Sequence, residues 1–244
     1  MSDNQIKMKI NIKKGRIIRI EEQELNPVLP TTDLSFIEDK DLYKEIRNYI
    51  KNDHPTLENK LVFQEGVMKY SNTYLATAVD MFFKNYHPKY RLATQANLET
   101  DLSKFKGFYI DSGLALRNLT GTNKEQAEYL FKQLKSRGIK ESNFPLWINL
   151  RGLELGKNLN FNLTDESFYK TAKSLNWKNG TRYSETDDFG LPKKPDKNSN
   201  RQIWTNSNYA LSRAYLDRDG TLNSRYDYFA GSYGIGRVVV ARIA

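Results

Sequence analysis

Few residue patterns in this sequence point to covalent chemistry. The 244 residues contain no cysteine, which removes disulfides, zinc–thiolate sites, iron–sulfur clusters and a thiolate nucleophile together. The two histidines, His54 and His87, lie in KNDHPT and KNYHPK. Each precedes a proline, which favours an extended or turn backbone, so both read as surface residues and a histidine metal site or triad is not expected. There is no Walker loop, serine-centred nucleophile elbow or zinc-binding histidine pair. The glycine-rich stretch Gly231-Ser232-Tyr233-Gly234-Ile235-Gly236 leads into a strand-like run. It therefore lacks the helix N-terminus that would hold a phosphate. What remains is a carboxylate pair, Asp217 and Asp219, in AYLDRDGTLN (214–223).

That decapeptide resembles the first motif of haloacid-dehalogenase-type phosphatases. The resemblance implies Asp217 as nucleophile and Asp219 as general acid, with magnesium neutralising the phosphate. Such enzymes carry the motif at the start of a doubly wound sheet and follow it with a lysine and an acidic metal pair. Here 21 residues follow Asn223, and none is lysine or glutamate. Nothing upstream alternates strand and helix in the required way, so the phosphatase is the weakest of three readings. An EF-hand fails too, since Gly220 comes three positions after Asp217 and no glutamate closes the loop. The acids are expected on a strand or tight turn, with no metal and no cofactor.

The elements that must position any site are read from periodicity. Ile6, Met8, Ile10 and Ile12 alternate with polar residues, and RIIRI (16–20) follows Gly15, which predicts two strands. After the breaker NPVLP (26–30), helical spacing predicts helices over Ile37–Ile50 and Asn72–Lys84. Thr94 caps a helix through Phe105, with Gly107 as its stop. Phe108–Ile110 and Leu114–Leu116 read as strand pieces around Asp111-Ser112-Gly113. Asn123–Arg137 is the clearest helix and ends at Gly138. Phe144–Leu155 reads as extended, Thr164–Leu175 as a short helix, and 177–201 as a polar loop. Trp204–Ser207, an irregular pair over Leu211–Leu222, and Ile235–Ile243 complete the strands. The fold class is α+β, with a mixed N-terminal region (1–140) of unknown role and a distinct C-terminal domain (141–244).

Charge points to acidic partners without locating them. The formal net charge is +9 and the pI about 9.4, a balance that favours anionic ligands or nucleic acid. Six arginines and three aspartates fall in residues 198–244, and no five-residue basic block occurs anywhere. The longest apolar runs, such as Val238-Val239-Val240, are too short to span a bilayer. The N-terminus, MSDNQIKMKINIKKG, is charged where a signal peptide is apolar. A soluble, cytoplasmic or virion-associated protein is expected.

Composition changes sharply near the end. All 24 lysines lie at or before Lys197, whereas five of fifteen tyrosines fall between Tyr209 and Tyr233. In residues 206–233, 17 of 28 positions are Asn, Ser, Tyr, Asp or Gly. Tyrosine gives large contact area with few rotatable bonds, and Ser, Gly and Asn adapt their hydrogen bonding, as in antibody paratopes. Tyr and Arg are also favoured as binding hot spots. A buried scaffold of Ala210, Leu211, Ala214, Leu216, Leu222, Phe229 and Ala230 would hold out a ligand-binding set. That set comprises Asn206, Asn208, Tyr209, Arg213, Tyr215, Asp217, Arg218, Asp219, Asn223, Arg225, Tyr226, Tyr228 and Tyr233. The simpler alternative is a tyrosine-rich β-region that packs its rings internally.

WTNS, a polar tyrosine-rich middle and a terminal GRVVVARI together resemble the end of C-type-lectin-fold proteins. The formylglycine-generating-enzyme-like branch ends on a similar G-x-R-V-V strand, matched by Gly234-Ile235-Gly236-Arg237-Val238-Val239 with one glycine more. Within that fold the composition resembles variable proteins of diversity-generating retroelements, whose adenine-containing codons mutate to yield Tyr, Ser, Asp and Gly. The resemblance covers roughly 141–244 and implies a fixed scaffold with a mutable ligand-binding face. The cysteine-dependent activity of formylglycine-generating relatives is not carried over. A non-catalytic binding protein is therefore expected, with a protein, glycan or other surface ligand. A basic nucleic-acid-associated protein is the runner-up.

Overall fold

The computed structural model describes residues 31–243 and, as backbone, Ile12–Lys13 and Arg16–Ile17. Those two pairs form a short antiparallel ladder. The rest of the strand pair expected over 6–20, and the breaker at 26–30, lie outside the described residues. The chain is mixed helix and strand, an α+β protein.

Ten strands organise the fold: β1 Thr31–Phe36, β2 Tyr90–Leu92, β3 Ile110–Leu116, β4 Leu146–Asn149, β5 Tyr169–Thr171, β6 Thr181–Arg182, β7 Gln202–Thr205, β8 Leu211–Leu216, β9 Leu222–Tyr226 and β10 Val239–Ile243. Seven of them make one sheet in the order β5-β4-β3-β8-β9-β7-β6, antiparallel except for β7 beside β9. A second sheet, β1-β10-β2, joins the last described strand to β1. Elements from both sides of residue 140 thus share each sheet.

The central strands of the large sheet place apolar residues on both faces, as expected when both are covered. Leu114, Leu116, Leu146, Ile148 and Leu211 enter the core beneath the helices. Their alternate neighbours Ala115, Trp147 and Ala214 join Ile203, Leu222, Leu175, Tyr183 and Leu191 in a second core on the other face. Successive strand residues point to opposite faces, so Arg213 and Tyr215, flanking Ala214, face the helical side.

Three helices build that side: α1 Lys40–Asp53, α2 Thr73–Tyr86 and α3 Lys124–Ser136. Asp39 caps α1 by accepting from the Asp41 and Leu42 amides, at 2.7 and 3.0 Å, and Tyr43, Ile46 and Ile50 bury its inner stripe. Asn72 caps α2 through the Leu75 amide at 2.8 Å, and nearly every residue from Thr73 to Phe83 is buried. Arg117 ties the second-core layer to the sheet. It donates to Ser212 Oγ, Ser224 O and Oγ, and Leu175 O at 2.6–3.0 Å. Burial with no carboxylate among these partners pushes its guanidinium down to about 10.

Five expectations need correction. His54, expected at the surface, is 6% exposed, its ring edge to face with Tyr49 at 6.0 Å. Thr164–Leu175 is not a helix. Thr164 and Ser167 turn their hydroxyls onto Gly152 O at 2.7 Å, Tyr169–Thr171 pairs with β4, and only Lys173–Asn176 coils, as a 3-10 turn. The strand pieces expected on either side of Asp111-Ser112-Gly113 are joined through it, as the continuous strand β3 Ile110–Leu116, and a Cβ on Gly113 would stand 2.4 Å from the Trp147 ring. Phe144–Leu155 divides into β4 and Leu153–Leu155, a hairpin partner of Phe161–Leu163, with Gly152 at φ +86° between them. The Thr94 helix stops at Glu99 and resumes as a 3-10 turn over Leu102–Phe105. The Thr94 cap itself forms, through a reciprocal capping box with Asn97. No helix among the described residues is long and apolar enough to cross a membrane.

Candidate functional site: an aromatic face on a buried ion pair

The site begins with a charge that cannot reach water. Asp111 on β3 stands opposite Tyr215 on β8, and its side chain is wholly buried. Arg213 grips it as a fork, Nε donating to Oδ1 at 2.9 Å and Nη2 to Oδ2 at 2.7 Å. This bidentate geometry is among the strongest neutralising contacts available to a buried carboxylate. Thr73 Oγ1 adds a bond at 3.0 Å and Ser71 Oγ a longer one at 3.4 Å, so the N-terminus of α2 is fastened to the same oxygens. Burial opposes the charge on Arg213, but the facing Asp111 carboxylate outweighs it and raises the guanidinium above its ordinary value.

The third nitrogen of Arg213 reaches the loop 227–236. Nη1 donates to Gly231 O at 2.9 Å. Tyr109 holds the same loop from the other end. Its hydroxyl donates to Ser71 O at 2.6 Å and accepts from the Tyr233 amide at 2.7 Å. A Cβ on Gly236 would stand 2.5 Å from the Tyr109 ring, so this close approach requires glycine.

Aromatic rings cover the pair. The guanidinium of Arg213 lies 4.8 Å from the Tyr215 ring centroid and 5.3 Å from that of Tyr109. Tyr109 meets Tyr215 and Tyr233 edge to face at 5.8 and 6.1 Å. Tyr215 stacks on Tyr226 at 6.4 Å with 22° between planes. Beyond it, Arg225 lies over both Tyr226 and Trp204, at 5.1 and 4.8 Å. Burial pushes the Tyr215 hydroxyl well above its ordinary range, and Asp217 reinforces it; the ring presents a neutral phenol at physiological pH.

The acids of AYLDRDGTLN sit on the tight turn between β8 and β9. Asp217 O accepts from the Gly220 amide at 2.8 Å, and Asp217 Oδ2 accepts from Asn223 at 3.2 Å. Asp219 Oδ1 accepts from both the amide and the hydroxyl of Thr221. Both carboxylates are thus engaged locally, on a hairpin instead of a strand that opens a helix. Among the described residues no group of three His, Asp or Glu is placed to hold a metal.

The expected site residues separate into two sets. Asn208, Arg218, Asp219, Tyr226 and Tyr228 are exposed, as is Tyr233, while Asn206, Tyr209, Asp217 and Arg225 are half-buried. Arg213, Tyr215 and Asn223, expected to be held out, are instead buried. Arg213 is a structural cation, Asn223 braces Asp217, and Tyr215 serves as the floor on which Tyr226 stacks. The scaffold residues Ala210, Leu211, Ala214, Leu216, Leu222 and Phe229 are buried as expected, and Ala230 is partly so. Sequence reasoning missed Ser71, Tyr109, Asp111 and Trp204. Asp111 carried a usable signal, an acid within the apolar run from Phe108 to Leu116, where a buried charge demands a partner.

Comparison with family models, curated proteins and solved structures finds no match to this chain.

Proposed function

We propose that this chain is a non-catalytic binding protein that displays a tyrosine-rich, sequence-variable face on a C-type-lectin-like scaffold. The supporting observation is where the exposed apolar side chains fall. Of the six large ones among the described residues, Tyr226, Tyr228, Tyr233 and Ile235 lie within ten residues, at 42–69% exposure. Exposed aromatics grouped this way mark an interaction surface. Their backbone is held by the Arg213–Gly231 and Tyr109–Tyr233 bonds, so little ordering cost remains on binding. Tyr226 and Tyr228 supply contact area, and Arg225 and Arg218 pair with acidic groups of a protein or glycan ligand.

The experiment is a binding screen of the full chain against protein and glycan arrays, beside the triple variant Tyr226→Ser/Tyr228→Ser/Tyr233→Ser. These side chains are solvent-exposed, so the variant should melt within a few degrees of the parent. It should lose at least tenfold in affinity for any ligand found, since aromatic anchors carry most of the energy of such interfaces. Equal binding by the triple variant would overturn the reading. So would binding confined to nucleic acid with a steep loss on adding salt, which would favour the basic nucleic-acid alternative.

A further inference from the structure

A concave surface lies on the other side of the large sheet from the aromatic face. A groove of about 450 Å³ opens between residues 171–177 and 187–195, within the size range of small-molecule sites. Ala172 and Leu191 belong to the second core, with Trp177 packed against it. Successive strand residues point to opposite faces, and Ala214 points into that core. The groove and the Arg213–Tyr215 face are therefore separated by the sheet.

Its walls are preformed. Asp187 Oδ1 accepts from the Phe189 and Leu191 amides at 2.9 and 3.0 Å. The other carboxylate oxygen takes the Lys170 ammonium at 2.6 Å, so the one acid in the lining is already neutralised. Lys193 N donates to Glu185 O at 3.1 Å, and Trp177 N to Ser174 O at 3.1 Å. The rim carries Lys173, Lys193 and Lys194, all exposed. Lys194 reaches Glu185 at 3.3 Å across solvent, whereas Lys173 and Lys193 have no ion-pair partner among the described residues. Trp177, Leu191 and Pro192 supply an apolar wall beside these charges.

We infer that this groove binds a small phosphomonoester carrying a planar ring, of about nucleoside-monophosphate size. Lysine ammonium groups are compact charges suited to a phosphate, and a partly exposed indole offers a surface for a flat ring. The +9 chain charge adds a field that favours any such dianion. This inference does not rest on the display-face reading, and the two can fail separately.

The test is calorimetric titration of the full chain with adenosine 5′-monophosphate, adenosine and inorganic phosphate at low salt. The same titrations are run on Lys173→Gln/Lys193→Gln, whose exposed side chains leave the core untouched. Adenosine 5′-monophosphate is expected to bind at least tenfold more tightly than either fragment. The double variant should lose that advantage while keeping the parent melting temperature. The Tyr226/Tyr228/Tyr233 triple serine variant should bind it as the parent does. Equal binding of nucleotide and inorganic phosphate would overturn the ring contact. Equal binding of nucleotide and adenosine, undiminished affinity in the double variant, or no binding at millimolar concentration would overturn the site itself.

Discussion

Replacing Asp111 with alanine is expected to cost about 3–5 kcal/mol of stability, because it leaves the Arg213 guanidinium buried without its counter-charge. Arg213 keeps only Gly231 O and the flanking tyrosine rings as neighbours, and water cannot reach it to compensate. Ser71 and Thr73 lose their acceptor as well, which loosens the start of α2. Urea unfolding followed by circular dichroism reads the effect as a fall in midpoint at constant slope. The paired variant Asp111→Leu/Arg213→Met removes both charges together. It is expected to be clearly more stable than Asp111→Ala, since deleting both partners of a buried pair is milder than stranding one. Hydrogen exchange adds a readout tied to the site. The Tyr228–Gly236 amides should lose protection in Asp111→Ala before the β3 and β8 amides do. A single variant as stable as the parent, or a double variant no better than the single, would contradict the role given to this pair.

The second large effect is expected at Trp147. This ring is 2% exposed and fills the second core between β4 and the segment 172–191. Trp147→Ala should cost about 3–5 kcal/mol through lost burial and the cavity left behind. The complementary change, Gly113→Ala, inserts a methyl 2.4 Å from the same ring on the neighbouring strand and should cost about 1–3 kcal/mol by overpacking. The two are coupled. In a Trp147→Leu background the Gly113→Ala penalty should largely vanish, because the smaller side chain vacates the space. A thermodynamic cycle over the four proteins measures this, and strict additivity would show that Gly113 answers to something other than the ring.

Much of the architecture was legible in the sequence wherever a local rule and the global fold agree. Asn72, Thr94 and Gly138 mark helix ends because their side chain or backbone does the same work in isolation as in the protein. The helix expected over Thr164–Leu175 failed for the opposite reason. Its apolar spacing is compatible with a helix, but Thr164 and Ser167 are consumed by Gly152 O and Tyr169–Thr171 by the edge of β4. Neither partner is visible from within the segment. Phe108–Ile110 and Leu114–Leu116 read as separate pieces for the same reason, since Asp111, Ser112 and Gly113 stand mid-strand to meet Arg213, Gln95 and Trp147. The site was half legible. Composition singled out residues 206–233 as the candidate, and the aliphatic scaffold expected there is largely buried. Arg213, Tyr215 and Asn223 could not be sorted from the exposed residues, because the same polar types serve as both ligand contacts and internal braces. The partners of Arg213 and Tyr215, Asp111 and Tyr109, lie about a hundred residues away in sequence, beyond any local pattern.

The most direct test of the display-face account is to sequence this gene across many closely related strains and map substitutions onto residues 206–233. The account expects them at the exposed positions Asn208, Tyr226, Tyr228 and Tyr233 and the half-buried Asn206, concentrated in adenine-containing codons. Arg213, Tyr215, Asn223 and Asp111 should stay fixed alongside Leu211, Leu216 and Leu222, because each is buried or bonded within the scaffold. Substitutions that fall no more often in 206–233 than in residues 31–140, or that strike Arg213 as freely as Tyr228, would contradict it.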